Sequence, residues 1–355
     1  MSDLIRAEIQ ALKAYHVPDA RGMIKLDAME NPYPLPDDVK QAWLAQLADV
    51  ELNRYPDPAA SELSSLMKQT MDVPANAEII LGNGSDELIQ ILALAVATPG
   101  RCILSVSPSF VMYSMIARFT GMAYIEVPLT QDFSLDVEAV LAAIEQHDPA
   151  LIFLAYPNNP TGNLFDEAAI HRIIKASYGL VVVDEAYHPF AQTSFMPQLP
   201  AYDNLLVMRT VSKMGLAGLR LGLLAGAGHW IQELDKIRLP YNINILTQKS
   251  AVFALQHSEV FEQQAAKIRE QREWLLQALS GMAQLQVYPS QANFILIRLL
   301  QDDATRVFEA LKARGILIKN LHPAGGPLQQ CLRLTVGKPE QNQALLLALQ
   351  QILQD

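Results

Sequence analysis

Residues 207–222 read VMRTVSKMGLAGLRLG and join an apolar strand pattern to a polar, glycine-rich turn. The turn carries Thr210, Ser212 and Lys213, and a second cation, Arg220, follows. Lysine is almost never fully buried, and a desolvated lysine near another cation has a lowered pKa and attacks carbonyl groups. This stretch alone is explained equally well by an ordinary surface lysine that follows a strand. Motifs elsewhere in the chain are needed to distinguish a reactive lysine from a surface one.

The composition indicates a protein with a large core and no nucleic-acid partner. The chain has 355 residues, 50% of them hydrophobic, which favours about two domains, and its net charge of −10 comes without a basic run. Cys102 and Cys331 each lie in an apolar run and are expected to be core thiols of a reduced compartment. With no signal peptide and no bilayer-length apolar stretch, we expect a cytoplasmic protein.

From Glu78 onward, short apolar strands alternate with helical patterns up to about residue 227. This predicts a mostly parallel sheet covered on both faces, with ligands bound beyond the carboxyl ends of its strands. A long helix, about residues 258–282, then leads to a small α+β region with an antiparallel sheet. We predict three segments: an N-terminal arm that joins the small domain (1–48), a large domain (49–250) and a small C-terminal domain (251–355).

Three polar motifs follow predicted strands of the large domain. Asp184 and Tyr187 end one strand, PNNPTG (157–162) holds Asn159 after another, and GNGSDE (82–87) precedes a helix. The last motif is neither G-x-G-x-x-G nor a Walker A loop, so a monophosphate fits it better than a nucleotide. Each motif alone is equally an ordinary turn or helix cap.

Together, these motifs supply the groups that pyridoxal 5′-phosphate requires. Its aldehyde needs the amine of Lys213, its ring nitrogen needs an acid such as Asp184, and its phosphate needs N–H groups, hydroxyls and Arg220. The seven histidines show no ligand spacing, so we expect no metal site.

The order and spacing of these motifs resemble the fold-type I pyridoxal-phosphate aminotransferases over nearly the full chain, and within them the histidinol-phosphate aminotransferase family. The stretches that carry the resemblance are ENPYP (30–34), NRYPDP (53–58), GNGSDE (82–87), PNNPTG (157–162), VVVDEAY (181–187), RTVSKMGLAGLRLG (209–222) and CLRLTVG (331–337). The resemblance implies an α/β fold, in which a mostly parallel seven-stranded sheet lies between helices in a large cofactor-binding domain, with a smaller α+β domain. It also implies a homodimer.

The resemblance also implies roles for individual residues. Lys213 binds the cofactor covalently, Asp184 pairs with the ring nitrogen, Asn159 and Tyr187 bind the ring hydroxyl, and Phe110 stacks on the ring. Lys213, Asp184 and Tyr187 form the catalytic set. The remaining cofactor residues, which hold the phosphate, are Gly84, Ser85, Asp86, Thr210, Ser212, Arg220 and, from the other subunit, Tyr55.

For the substrates, the resemblance implies an exchange of an amino group between histidinol phosphate and 2-oxoglutarate, giving imidazole-acetol phosphate and glutamate. Arg333 would bind the anionic group of either substrate, although its alternating strand pattern alone favours an outward charge. Lys319 stands where several relatives have an arginine for the substrate phosphate. The other implied substrate residues are Tyr15, Glu30, Asn31, Asn159 and Tyr241.

Other functions stay open at this stage. The nearest alternatives are an aminotransferase for aromatic amino acids and a pyridoxal-phosphate decarboxylase for an amino-acid phosphate. A cofactor-binding regulatory protein is an alternative without catalysis, although neither end of the chain suggests a DNA-binding extension. A nucleotide-binding α/β protein is disfavoured because the sequence lacks a Rossmann or P-loop fingerprint.

Overall fold

A computed structural model describes residues 4–12, 14 and 18–354 of the chain, so the predicted substrate residue Tyr15 lies outside the described residues. The helices are α1 (Ala7–Gln10), α2 (Asp37–Leu47), α3 (Ser61–Thr70), α4 (Ser85–Val96), α5 (Val111–Thr120), α6 (Val137–His147), α7 (Glu167–Ala176), α8 (His188–Ala191), α9 (Gly228–Asp235), α10 (Ile245–Gln256), α11 (Ser258–Ser280), α12 (Ala304–Ala313) and α13 (Pro339–Gln354). The strands are β1 (Ile24–Lys25), β2 (Ala77–Gly82), β3 (Cys102–Ser107), β4 (Ala123–Pro128), β5 (Leu151–Ala155), β6 (Leu180–Asp184), β7 (Leu205–Thr210), β8 (Gly222–Ala227), β9 (Leu285–Val287), β10 (Phe294–Leu299), β11 (Ile316–Leu317), β12 (Lys319–Asn320) and β13 (Cys331–Thr335).

The large sheet has seven strands in the order β2-β8-β7-β6-β5-β3-β4 within the described ranges. All neighbouring pairs are parallel except those of β8, which runs antiparallel to both β2 and β7. The predicted α/β class with a mostly parallel seven-stranded sheet is therefore confirmed.

The continuous apolar strands are explained by burial on both faces of this sheet. In β6, Val181 and Val183 pack into the core on one side, whereas Val182 packs with Leu206 and Met208 on the other. All five side chains are fully buried. Because successive side chains of a strand point to opposite faces, a strand covered on both sides needs apolar residues at every position.

The reversed direction of β8 brings the predicted motifs to one edge of the sheet. The carboxyl ends of β5, β6 and β7 are adjacent, with Ala155 beside Asp184 and Asp184 beside Met208. Gly222, at the amino end of β8, pairs with both Thr210 and Gly82. The loop after β2 and the segment before β8 therefore lie at the same edge as Asp184.

The smaller sheet is antiparallel, as predicted, in the order β12-β13-β10-β9. The long helix predicted at about residues 258–282 is α11, and its Phe261, Ile268, Leu275 and Leu279 are all buried. Packed against this sheet and helix, α12 and α13 complete a second core.

Residues 316–320 form two short strands with different partners. β11 pairs in parallel with β1, whereas β12 pairs antiparallel with β13. The chain changes partner at Ile318, so two short pairings replace one long strand. The same pairing joins the N-terminal segment to the C-terminal third of the chain. In the described part of the N-terminal arm, α1 has four residues.

The predicted domain boundary at residue 250 falls inside α10. Ala251, Val252 and Leu255, which follow that boundary, pack in the core of the large sheet. We therefore propose that the boundary lies near His257, between α10 and α11. Among the described helices, none is long and apolar enough to cross a membrane.

Candidate active site

Lys213 lies on a short π-helical turn, Ser212–Leu216, that directly follows β7. Gly215 in this turn has φ +130°, a conformation that L side chains rarely adopt. Asn31 holds the turn from outside, since its Nδ2 donates to the Met214 carbonyl at 2.7 Å. Lys213 Nζ lies 5.7 Å from the centre of the Tyr187 ring and donates to the Ala28 carbonyl at 3.4 Å.

The environment of Lys213 makes its amine easier to deprotonate. Burial lowers the pKa of Lys213 from 10.5 to about 8, and the positive charge of Arg333 adds to this effect. Relative to an ordinary lysine, the neutral fraction near pH 7 rises roughly 300-fold. A neutral amine is the form that attacks an aldehyde.

This lowered pKa predicts how the attachment of an aldehyde to the cofactor-free protein depends on pH. The rate at which Lys213 reacts with pyridoxal phosphate should rise with pH and level off above about 8, because the charged form loses its proton in that range. Stopped-flow absorbance of the imine measures this rate. Lys249→Ala, which removes an exposed ammonium paired with Glu62, is the control and should leave the profile unchanged. A rate that still rises above pH 10 contradicts the assignment.

Asp184 is the buried acid of the site, with 3% of its surface exposed at the end of β6. Its Oδ2 accepts a hydrogen bond from the Tyr113 hydroxyl at 2.7 Å, and its Oδ1 accepts one from the Ala186 N–H at 3.0 Å. Burial raises the pKa of Asp184 to about 6, and both hydrogen bonds oppose that rise. The carboxylate therefore stays ionised at neutral pH.

Tyr113, for which the sequence predicted no role, contacts the carboxylate of Asp184. Its ring is fully buried on α5, stacked on Phe153 with centroids 4.7 Å apart and in edge contact with Phe110 at 5.5 Å. On an apolar helix, a tyrosine has the pattern of an ordinary core residue. Its contact with Asp184 depends on tertiary packing, so the sequence carried no signal for it.

The N-terminus of α4 has the form of a phosphate cradle. The helix begins after Gly84, which has φ +80° and supplies no capping side chain. A Cβ at Gly84 would lie 2.9 Å from Arg220 Nη2, so the guanidinium occupies the space above the first turn. Glu87 fixes the loop, because its Oε2 accepts from the Asn83 N–H at 2.6 Å. Helix N-termini and arginine both attract phosphate.

Hydroxyl groups complete the cradle beside Lys213. Thr210 Oγ1 lies 2.9 Å from Ser212 Oγ and 3.0 Å from the Leu221 carbonyl, and it accepts from the Ser212 N–H at 3.1 Å. This network fixes the backbone between β7 and the turn of Lys213. Arg220 Nη2 lies 3.4 Å from Asp86 Oδ2, which aligns the cation with the first turn of α4.

Asn159 connects Tyr187 to Arg333. Its Nδ2 donates to the Tyr187 hydroxyl at 3.1 Å, and its Oδ1 accepts from Arg333 Nη1 at 2.6 Å. Arg333 Nη2 also donates to the Asp27 carbonyl at 2.9 Å, and its guanidinium lies over the Phe294 ring. Burial raises the pKa of Tyr187, so its phenol stays protonated. The network places a buried cation next to the predicted ring-hydroxyl partners.

Most of the predicted cofactor residues line a single cleft. Met29, Ala155 and Ala186, for which the sequence predicted no role, also contribute to its walls. Predicted residues that line the cleft are Ser85, Asp86, Phe110, Asn159, Asp184, Tyr187, Thr210, Ser212, Lys213 and Arg220.

The other predicted residues that the structure describes are not among those lining the cleft. Tyr55 is 80% exposed and stacks on Tyr241, 40% exposed, with centroids 4.5 Å apart. Glu30 forms an ion pair with Lys25 at 2.5 Å. Asn31, predicted to contact substrate, uses its amide to hold the turn of Lys213 and to bond Gln264.

Lys319 is directly opposite Arg333 on the neighbouring strand. Burial and the charge of Arg333 both lower the pKa of Lys319. Two cations side by side repel each other, so an anion between them would be strongly favoured.

The residues present fit pyridoxal phosphate. The amine of Lys213 and the buried carboxylate of Asp184 line the same cleft, and Gly84 and Arg220 form a cradle that a side chain at position 84 would fill. This arrangement at the edge of a mostly parallel sheet defines a pyridoxal-phosphate-dependent enzyme of fold type I.

Comparison with known proteins agrees with this class. The family model "Aminotransferase class I and II" matches residues 21–349. Histidinol-phosphate aminotransferase 1 of Ralstonia nicotianae is 52% identical over 99% of this chain and 95% of its own length. Histidinol-phosphate aminotransferase 2 of Nitrosococcus oceani is 55% identical over 97% of this chain and 96% of its own.

A solved structure shows the same fold. Histidinol-phosphate aminotransferase from Sinorhizobium meliloti, in complex with pyridoxal-5′-phosphate, has a TM-score of 0.87 at 25% identity, covering 100% of this chain and 98% of that one. The chain belongs to the class I and II aminotransferase family, and within it to the histidinol-phosphate aminotransferases. Its cofactor is pyridoxal 5′-phosphate.

Proposed function

We propose that the protein transfers the amino group of histidinol phosphate to 2-oxoglutarate, giving imidazole-acetol phosphate and glutamate, and catalyses the reverse reaction. The names of relatives more than 50% identical over nearly the whole chain support this substrate pair. The observation that carries the proposal is the buried Arg333, bonded to Asn159 beside Lys213 and faced by Lys319.

Bound pyridoxal phosphate supplies an aldehyde that accepts the amino group and a ring that takes up the electron pair left at the substrate carbon. The chain's own residues bind and orient the reactants around it. Lys213 would hold the cofactor through its amine, and the same amine would accept the proton that leaves the substrate carbon. The Asp184 carboxylate would accept a hydrogen bond from the protonated ring nitrogen, and Asn159 and Tyr187 would bind the ring hydroxyl.

Arg333 is the proposed anchor for both substrates. Histidinol phosphate carries a phosphate and glutamate a carboxylate near the reacting carbon, and a planar guanidinium binds either anion through two parallel hydrogen bonds. Lys319 adds a second positive charge beside it. A point charge tolerates more than one anion geometry, so it suits the larger phosphate group.

We also propose that the protein is a cytoplasmic homodimer in which Tyr55 reaches the phosphate of the partner subunit's cofactor. The exposed stack of Tyr55 on Tyr241 supports this, because two large aromatic rings at the surface are favourable at an interface. The two cysteines, buried and unpaired, support a reducing compartment. Gel filtration that gives an active monomer contradicts the dimer.

The substrate pair is tested by half-reactions of the purified holoenzyme. Histidinol phosphate and glutamate should each convert the bound cofactor to its amino form, seen as a loss of visible absorption. Phenylalanine should react more slowly, and threonine phosphate should release no carbon dioxide. Faster conversion by phenylalanine, or release of carbon dioxide, replaces the proposal with one of the alternative functions.

Arg333→Gln should lower kcat/KM in both half-reactions by roughly 10- to 100-fold, because each substrate loses a charged hydrogen bond worth about 1.5–3 kcal/mol. Lys319→Gln is the matched variant and should weaken only the half-reaction of histidinol phosphate. Stopped-flow traces over a range of substrate concentrations give both values. Equal losses for both substrates in Lys319→Gln contradict the proposed division of roles.

A further inference from the structure

A buried ion pair lies directly behind the active-site edge of the sheet. Arg209 Nε donates to Glu185 Oε2 at 2.9 Å, and the two side chains are 3% and 0% exposed. Neither residue lines the cleft. The proposed chemistry does not use this pair.

Both side chains of the ion pair also form hydrogen bonds with neighbouring groups. Glu185 Oε1 accepts from the Phe195 N–H at 2.5 Å, and Ser194 Oγ donates to Glu185 Oε2 at 2.9 Å. Arg209 Nη1 donates to the Met71 carbonyl at 2.8 Å, and its Nη2 donates to Ser194 Oγ at 2.7 Å. The network therefore ties the end of α3 and the turn before Met196 to the ion pair.

A buried ion pair is costly to desolvate, and well-packed apolar residues often stabilise a fold at least as well. Stability alone therefore gives a weak reason for placing one here. A charged pair does fix geometry more sharply than apolar contacts, because its hydrogen bonds require particular distances and directions.

The position of the pair indicates what it fixes. Glu185 follows Asp184 in the chain, and its N–H extends the ladder to the Met208 carbonyl at 2.8 Å. Arg209 precedes Thr210, the last residue of β7 before the turn of Lys213. Because neighbouring residues of a strand point to opposite faces, the ion pair joins β6 and β7 behind the cleft while Asp184 and Thr210 face it.

We propose that Glu185 and Arg209 are positioning residues that set the separation between Asp184 and Lys213. They hold the carboxyl ends of β6 and β7 together and so fix where the carboxylate and the amine meet the cofactor. This inference rests on the proposed roles of Asp184 and Lys213. Small misplacements of reacting groups can cost up to about 100-fold in rate.

The test uses a double variant that carries both Glu185→Met and Arg209→Met. It is compared with each single variant and with the wild-type holoenzyme. Urea unfolding of the cofactor-free proteins measures stability, and visible circular dichroism measures the fixed orientation of the bound cofactor. Each single variant should be destabilised because it leaves a buried charge without its partner. The double variant should recover stability but keep a weakened dichroism signal and a half-reaction about 10-fold slower or more.

Two controls separate the possible explanations. Arg172→Met, which removes an exposed ion pair with Glu138, should leave dichroism and rate unchanged. If the double variant does not fold, Arg209→Lys replaces it, because this variant keeps the charge but loses the planar contacts of the guanidinium. Dichroism and the half-reaction rate are then measured on that variant. Wild-type dichroism and rate in a stable double variant, or in Arg209→Lys, overturn the inference.

One further measurement on the wild-type holoenzyme distinguishes a failure of the positioning role from a failure of the proposed function. Peptide mapping after borohydride reduction shows whether the wild-type cofactor is attached to Lys213. Attachment elsewhere removes the proposed function itself. Attachment at Lys213, combined with unchanged dichroism in the variants, removes only the positioning role.

Discussion

Replacement of Lys213 by alanine should abolish amino transfer while leaving the protein folded. We expect turnover to fall by on the order of 10⁶-fold, the loss found when the nucleophile of an enzyme is removed. The reason is that no other described lysine lines the cleft. Turnover of histidinol phosphate with 2-oxoglutarate, measured on matched concentrations of variant and wild type, gives the value.

The same variant should not lose stability without cofactor. Lys213 makes one long hydrogen bond, to the Ala28 carbonyl at 3.4 Å, and its lowered pKa shows that the fold disfavours its charged form. The cofactor-free variant should therefore unfold at a urea concentration no lower than that of the wild type. Lys249→Ala controls for the general loss of a lysine. Normal turnover by Lys213→Ala contradicts the proposed mechanism.

Replacement of Asp184 by asparagine should reduce turnover by roughly 100- to 1000-fold, the usual cost of removing one preorganised electrostatic contact. The variant keeps the shape of the side chain but loses the charge that holds a proton on the ring nitrogen. The cofactor should still attach to Lys213, because that step needs only the amine. Pre-steady-state half-reactions measure the loss, and visible absorption confirms that the cofactor is bound.

Tyr113→Phe tests the role of the Asp184 carboxylate without removing it. The Tyr113 hydroxyl lowers the pKa of Asp184, so its removal should raise that pKa above about 6. Since Asp184 works as the anion, the acid limb of the pH–rate profile should move to higher pH, with little change at pH 8. An unshifted acid limb, or full activity in Asp184→Asn, contradicts the role assigned to this acid.

The sequence predicts the parts of the site that depend on strand ends. An apolar strand followed by Asp184, and another followed by Lys213, meet at one edge because parallel strands align their carboxyl ends. The reversed direction of β8 is not visible in its apolar pattern, yet it brings Arg220 to that edge. Here the resemblance to known motifs supplied what periodicity could not.

Residues whose roles depend on tertiary packing could not be predicted from the sequence. Tyr113 is part of the site only because α5 places its hydroxyl 2.7 Å from Asp184. Asn31 belongs to a motif of the family, yet the structure uses its amide to hold the turn behind Lys213. The division of residues 316–320 between two sheets likewise depends on partners that are distant in the chain.

The most direct measurement is borohydride reduction of the purified holoenzyme, followed by proteolysis and mass spectrometry of the peptides. Reduction converts the bond between amine and cofactor into a stable link, so the labelled residue is identified without any assumption about substrate. We predict a single pyridoxyl label on Lys213, in the peptide that follows Arg209. A label on another lysine, or none on a protein that transfers amino groups, contradicts the account.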